Sequence, residues 1–125
     1  MAKTYTMMPR DKHNEPIPIL GVYRSRKISA TSTSAASALP LSSTGNSPGV
    51  ITVIATGNVI VVLGTSGATA ADYSSGLATG CPVLGGYGFA VVDLPVADAD
   101  THIAVITATV GGARADCEVY VLARE

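Results

Sequence analysis

Two runs of β-branched residues stand near the middle of the chain. The first is "VITVIA" at 50–55 and the second is "NVIVVLG" at 58–64, and only Thr-Gly separates them. Such runs are typical of strands, and the short connection that contains glycine predicts a β-hairpin. Because nearly every position in both runs is apolar, we expect both faces of these strands to be covered, by the rest of the chain or by a neighbouring subunit.

Alternation of apolar and polar residues continues towards the C-terminus. It predicts strands at 87–94, 101–110 and 115–123, with Gly-Gly turns before the first and the last of them. The last strand alternates most clearly, and one of its faces carries Ala115, Cys117, Val119 and Val121. The stretch "ATAADYSS" at 68–75 could hold a helical turn, but its flanking glycines favour a loop.

The segment 29–44, "SATSTSAASALPLSST", has the composition of a flexible linker. Its beginning, however, alternates in the manner of a strand, with Ile28 and Ala30 on one face and Ser29 and Thr31 on the other. Threonine favours strands, and small side chains let a neighbouring backbone come close. We therefore expect a first strand that begins near Ile28 and continues as extended chain to Pro40.

Taken together, these segments predict an all-β fold. The number and spacing of the runs indicate about seven or eight short strands, arranged as a single antiparallel β-sandwich or jelly roll. The predicted domain spans residues 28–125, and residues 1–27 form an extended arm before it. In the arm, Pro9, Pro16 and Pro18 favour extended backbone, and neither strand nor helix periodicity is present.

Charge separates the arm from the body. Residues 1–27 hold six basic and two acidic residues, a net charge of +4, whereas residues 28–125 hold two basic and seven acidic residues, a net charge of −5. Only 14% of all residues are charged, while 47% are hydrophobic. Such a weakly charged surface favours burial against further copies of the chain, so we expect a homo-oligomer.

The sequence offers little for catalysis. Its two histidines, His13 and His102, cannot build a Ser-His-Asp arrangement, and Cys81 and Cys117 lack the spacing of a zinc site. We expect these cysteines to be structural free thiols, although a disulfide between them stays open. The glycine-rich stretches "GGYGFA" and "GTSGATA" lack the pattern of phosphate loops. The expectation is therefore a protein that is not an enzyme and that binds neither a cofactor nor a metal.

Charge and hydropathy bear on the partners. The acidic body opposes binding to nucleic acid. No apolar run approaches the ~18 residues of a membrane span, and the first residues do not look like a signal peptide. We therefore expect no nucleic-acid or membrane partner and synthesis in the cytoplasm.

The combination of segments resembles small virion proteins of tailed bacteriophages. It rests on the Ser/Thr/Ala-rich first strand, "ALPL", "GVITVIATGNVIVVLGTSGATA", "SSGLATGCPVLGGYGFAVVDLP" and the final pair "THIAVI" and "GGARADCEVYVLARE", which predicts a second hairpin. Such proteins have β-sandwich or jelly-roll bodies that oligomerise on the particle, and some are head decoration (cement) proteins. The resemblance covers roughly residues 28–125 and implies a capsid surface as partner.

By analogy with cement proteins, the arm would reach neighbouring subunits of the major capsid protein on the exterior of the virion, with a trimer favoured over a dimer. The expected contact residues are Arg10, Lys12, Ile17, Ile19, Leu20, Arg24, Arg26 and Lys27. The alternative is a tail or head-fibre β module that binds a glycan on the host surface. That alternative predicts exposed aromatic side chains, of which five Tyr and one Phe offer few.

Overall fold

The computed structural model describes residues 21–110 and 115–124. These residues contain no helix, and 57% of them lie in β-strands. The ten strands are β1 (Val22–Ala30), β2 (Ala35–Ala38), β3 (Val50–Ala55), β4 (Asn58–Gly64), β5 (Ala71–Ser74), β6 (Leu77–Thr79), β7 (Cys81–Leu84), β8 (Ala90–Pro95), β9 (His102–Thr107) and β10 (Cys117–Arg124).

Eight of the strands form two four-stranded sheets. Sheet I has the order β1-β10-β3-β8 and sheet II has the order β2-β9-β4-β7, while β5 and β6 pair with each other. Every pairing is antiparallel. The predicted all-β antiparallel class is therefore confirmed. The strand count is ten rather than seven or eight, because a short pair lies between β4 and β7.

Apolar side chains of both four-stranded sheets belong to one core. Alternate positions of every strand in these sheets except β2 contribute to it, as the two-residue period of a strand requires. The fully buried members from sheet I are Ile51, Val53, Ala55, Val119 and Val121. Those from sheet II include Val59 and Ile103, with Val61 and Val105 almost fully buried. The predicted inward positions Val119 and Val121 of the last strand are confirmed.

The chain changes sheet at nearly every connection, which gives the body two distinct ends. We call the end at which β1 begins the N-terminal end; it also holds the connections 39–49 and 96–101. We call the opposite end the loop end. It holds the connections 31–34, 56–57 and 85–89, and the described parts of the connection from β9 to β10, 108–110 and 115–116.

The two predicted hairpins are wrong. β3 and β4 follow each other across Thr56 and Gly57 but lie in different sheets, and so do β9 and β10. At the first connection, Thr56 pairs with β10 instead, since its N–H donates to the Glu118 carbonyl at 3.0 Å. Gly57 passes so close to Cys117 that a Cβ on Gly57 would lie 2.7 Å from the Cys117 Cβ. The turn carries the chain over the core instead of back along one sheet.

β4 is apolar on both faces because the chain itself covers its second face. Ile60 is fully buried away from the main core, in a second cluster with Ala104, Ala70 and other small residues. Ala68, Ala70 and Ala78 belong to the segment 65–80 that contains β5 and β6. The expectation that both faces of this strand are covered is therefore confirmed for β4, and the cover comes from the same chain.

The loop predicted at 68–75 is instead the first half of a hairpin. Ser75 and Gly76 connect β5 to β6, and both have positive φ angles, 53° and 81°. A two-residue connection with positive φ at both positions matches the twist of a hairpin, and glycine adopts this conformation without a steric penalty. The signal was the Ser-Gly pair, which the alanine-rich flanks obscured.

The first strand begins earlier than expected. β1 starts at Val22 and pairs with β10 over its whole length, so the boundary predicted between residues 27 and 28 falls inside a strand. Ile28 and Ala30 share one face of the strand, as predicted, and both are buried. The segment 29–44 is ordered structure rather than a linker, because it completes β1, forms β2 against β9, and buries Leu39 in the core.

Candidate functional site

Two of the predicted contact residues lie together at the N-terminal end. Arg24 and Arg26 are exposed residues of β1, which is an edge strand of sheet I. They line one wall of an open cavity of about 400 Å³. The opposite wall comes from Leu39 to Leu41 and from His102 of sheet II. Two guanidinium groups therefore line this cavity on the side of β1, opposite a largely apolar wall.

Lys27 lies on the other face of β1. It is exposed and stands opposite Tyr120 of β10 in the strand register, on the outer surface of sheet I. The remaining expected contact residues lie outside the described residues; they are Arg10, Lys12, Ile17, Ile19 and Leu20. The structure thus brings Arg24 and Arg26 to one surface and sends Lys27 to another.

Gly21, just before β1, lies beside a network of side-chain hydrogen bonds. Arg124 donates from Nε to the Gly21 carbonyl at 3.2 Å and from Nη1 to Thr52 Oγ1 at 2.9 Å. Thr52 in turn donates to Asp93 Oδ1 at 2.5 Å. These contacts tie β10, β3 and β8 together next to Gly21.

The loop end carries two exposed aromatic residues that the strand pattern did not predict to be there. Tyr87 has an exposure of 110% relative to its reference value, and Phe89 one of 72%. Both were expected inside a strand at 87–94, but β8 begins only at Ala90. The signal that could have placed them in a loop was the glycine on either side of Tyr87, at 86 and 88.

Glycine is required at the base of this loop because backbone groups meet there. A Cβ on Gly85 would overlap the carbonyl oxygen of Ala55, and the Gly85 N–H donates to the Gly57 carbonyl at 3.0 Å. The turn itself closes with the Gly88 N–H donating to the Gly85 carbonyl at 3.1 Å. The loop is therefore fixed to the connection between β3 and β4.

Asn58 clamps the same loop with both ends of its amide. Its Oδ1 accepts from the Gly86 N–H at 2.9 Å, and its Nδ2 donates to the Val110 carbonyl at 3.0 Å. One side chain thus joins the start of β4 to two connections of the loop end. Tyr87 follows immediately after the clamped Gly86, so its backbone position is well defined.

A cavity of about 590 Å³ opens beside Tyr87. Its polar walls come from Thr56, Asn58 and the exposed carboxylate of Asp116, and its apolar walls from Leu84 and small residues of the neighbouring connections. The volume lies in the range of small-ligand sites. The ring of Tyr87 and the carboxylate of Asp116 can together hold a polar organic molecule.

Both cysteines are free thiols and both pack against the main core. They are partly buried rather than fully buried. Burial raises the pKa of the Cys117 thiol, and the nearby carboxylates of Glu118 and Asp116 raise the pKa further, against a weaker opposing effect of a hydrogen bond with the Gly57 backbone. A thiol with a raised pKa is a poor nucleophile at neutral pH.

The stretch 96–101, "VADADT", is a polar turn before β9. Asp100 closes it, since its Oδ2 accepts from the Ala97 N–H at 3.0 Å, and the ring of His102 bonds to Thr101 Oγ1 at 2.8 Å. Within residues 21–110 and 115–124, no three His, Cys, Asp or Glu side chains come together as metal ligands. The same residues contain no helix suited to crossing a membrane.

Comparison of the chain with protein-family models, with curated proteins and with solved structures finds no match. What the protein does is therefore inferred from its own fold and from the surfaces at its two ends.

Proposed function

We propose that this protein is a structural component of a tailed-bacteriophage virion, a decoration (cement) protein that binds the outside of the head and bridges major capsid subunits. The observation that carries the proposal is the strand order of the two sheets. Without the short pair β5–β6, the first four strands pair with the last four in reverse sequence: β1 with β10, β2 with β9, β3 with β8 and β4 with β7.

This order is what results when one long antiparallel ribbon is wrapped into two sheets. It supports the assignment of the body as a jelly roll, an eight-stranded architecture of viral capsid and lectin domains. The step from fold to virion is an argument by analogy, because one fold serves many functions. It agrees with the resemblance of residues 28–125 to small phage virion proteins.

The charge distribution supports attachment through the N-terminal end. The six basic residues of the first 27 suit an acidic capsid exterior, and the acidic body does not compete for that surface. Arg24 and Arg26 lie on an exposed edge at the point where residues 1–20 join the body. Attachment there would extend the contact from these two side chains along the preceding segment.

We further propose that the protein acts as a homo-oligomer, with a trimer as the expected state. The apolarity of β4 no longer supports this, because segment 65–80 covers it. The outer surface of sheet I does, since Val91 is 55% and Tyr120 is 37% exposed there. Contacts repeated by symmetry let a small protein hold a large shell without any single strong site.

The proposal is tested on particles. The purified protein is mixed with heads that lack it, from the virus that encodes it, and bound protein is measured by sedimentation and by negative-stain imaging. Saturable binding, with new density at symmetry-related positions on the head, is the expected result. Protein that binds only to tails, or that does not bind to heads at any concentration, would rule out a decoration protein.

A further inference from the structure

We propose that the loop end is a carbohydrate-binding site, in which the rings of Tyr87 and Phe89 stack on sugar residues and the cavity beside Tyr87 receives one of them. The site lies at the opposite end of the body from Gly21 and the start of β1. The inference goes beyond attachment to the head and does not depend on it, because the isolated protein would bind sugar in either case.

The first argument is the placement of the aromatic residues. The whole chain contains five Tyr and one Phe, and two of these six stand within three positions in one connection. Tyr87 and Phe89 are also among the most exposed large apolar residues that the structure describes. An aromatic ring left in water gives up the large burial that normally stabilises it. Two such rings in one short loop indicate a surface that binds something.

The second argument is that the loop is built before any ligand arrives. Gly85 packs against the backbone of Ala55, and Asn58 holds Gly86 and Val110 at the same time. Binding therefore need not order the backbone that carries Tyr87, which removes a large entropic cost of association. A loop that was exposed only because it lacked contacts would have no reason for this clamp.

The third argument identifies the chemistry of the ligand. Beside Tyr87 lies a polar group suited to hydroxyls, the exposed carboxylate of Asp116. The Asn58 amide keeps one N–H and one lone pair beyond the clamp, whereas Thr56 Oγ1 already bonds to the Glu118 backbone in both directions. A sugar ring has C–H groups on one face, which the electron-rich face of an aromatic ring attracts, and hydroxyls around its edge. The concave, mixed surface at the loop end therefore favours a saccharide over an apolar protein groove.

The test uses the full-length protein and an array of bacterial surface polysaccharides with their mono- and disaccharide fragments. Hits are confirmed by titration in solution, followed by tyrosine fluorescence, since the chain contains no Trp. We expect wild type to bind a subset of these sugars. Tyr87→Ala should weaken binding at least tenfold, and Phe89→Ala or Asp116→Asn should weaken it several-fold.

Two matched variants make the result specific. Tyr73→Ala removes another exposed tyrosine, on β5, and should leave sugar binding unchanged. Tyr87→Phe keeps the ring and should retain most of the binding. Because all these side chains are exposed, the variants should unfold at the wild-type temperature.

Three outcomes would overturn the proposal. The first is a wild-type protein that binds no saccharide on the array. The second is equal sugar binding by wild type and Tyr87→Ala. The third is a Tyr87→Ala protein that keeps its sugar binding but loses its oligomeric state or its binding to heads, which would make the loop end a protein interface. Failure to bind heads with sugar binding intact would contradict the decoration function alone.

Discussion

Arg124 and Thr52 are joined by a hydrogen bond of 2.9 Å from Nη1 to Oγ1, on the outer surface of sheet I. Thr52 has an exposure of only 4%, and its hydroxyl also donates to Asp93. The hydroxyl of Thr107 differs from that of Thr52 in its hydrogen bonding. Thr107 is fully buried, and its Oγ1 has no hydrogen-bond partner among the described residues.

The two threonines should respond oppositely to the same substitution. Thr52→Val removes a hydroxyl that serves two charged partners, so we expect the free energy of unfolding to fall by about 1–2 kcal/mol. Thr107→Val replaces an unpaired buried hydroxyl with a methyl group of similar size, so we expect stability to rise by about 1 kcal/mol. Chemical denaturation of both variants measures the difference. A loss of stability in Thr107→Val would mean that its hydroxyl has a partner.

Gly85 should tolerate no side chain. In Gly85→Ala the new Cβ meets the Ala55 carbonyl, and neither backbone can move without disturbing β3, so we expect a loss of roughly 1–3 kcal/mol. Gly49→Ala is the control, because a Cβ there meets nothing within 4 Å. Thermal unfolding of the two variants should separate them clearly. Equal melting temperatures would show that the loop is not fixed to the turn at Gly57.

Cys117 should be alkylated slowly at neutral pH. Its pKa is raised above the ordinary value of 9.0, first by burial and then by the charges of Glu118 and Asp116. In a Cys81→Ser background, where Cys117 is the one remaining thiol, the rate of reaction with iodoacetamide should rise at a higher pH in the folded than in the unfolded protein. Glu118→Gln should shift the folded curve back towards lower pH. A folded curve at or below the unfolded one would contradict this.

The same shift has a consequence for stability. Because the folded state binds the thiol proton more tightly than the unfolded state, this contribution is present below pH 9.0 and is lost as the pH rises through the raised value. Stability should therefore fall with rising pH in that range, and Cys117→Ala should reduce the fall. Denaturation midpoints at several alkaline pH values measure it.

Local pattern predicted the longer apolar strands well, but it did not predict β5, β6 or β7, and it predicted the partners of the strands poorly. β3 and β4 have the predicted bounds, because a run of β-branched residues is decided by its own side chains. Whether Thr-Gly or Gly-Gly makes a hairpin or crosses to another sheet depends on distant strands. Thr56 shows this, since its partner Glu118 is 62 residues away. A hairpin and a crossover to the other sheet both need small residues where the chain reverses, so the sequence alone does not distinguish them.

Even less of the candidate site at the loop end could be predicted from the sequence. The Gly-Gly pair at 85–86 predicts the turn correctly, but the apolar pattern that follows includes Tyr87 in the strand, which begins only at Ala90. Its exposure follows from Gly85 meeting the Ala55 backbone and from Asn58, 28 residues away, holding Gly86. Contacts of this kind leave no periodic signal. The cationic edge, by contrast, was visible as charge at Arg24 and Arg26, although its position on β1 was not.

The last prediction concerns the arm and uses two truncations. A protein that begins at Gly21 keeps the whole of β1, so we expect it to fold and oligomerise as the full chain does. A protein that begins at Ile28 loses residues 22–27 of β1 and their pairing with β10, so it should be clearly less stable. Melting temperature and light scattering compare the three proteins.

The shorter arm should matter for the head rather than for the fold. We expect the protein that begins at Gly21 to lose most of its affinity for heads that lack the native copies, since it has lost Arg10 and Lys12 and the apolar residues Ile17, Ile19 and Leu20. Binding of the full chain should weaken with added salt. Attraction between exposed charges is largely screened beyond about 8 Å at physiological ionic strength, and this distance shortens as salt is added. Full-length Arg10→Gln/Lys12→Gln separates charge from length, and should lose the salt dependence in part while keeping the apolar contact. Co-sedimentation measures all three. Equal binding by the truncated and intact proteins would show that the arm is dispensable, and the contact with the head would then have to lie on the body itself, at the edge formed by Arg24 and Arg26 or on the outer surface of sheet I.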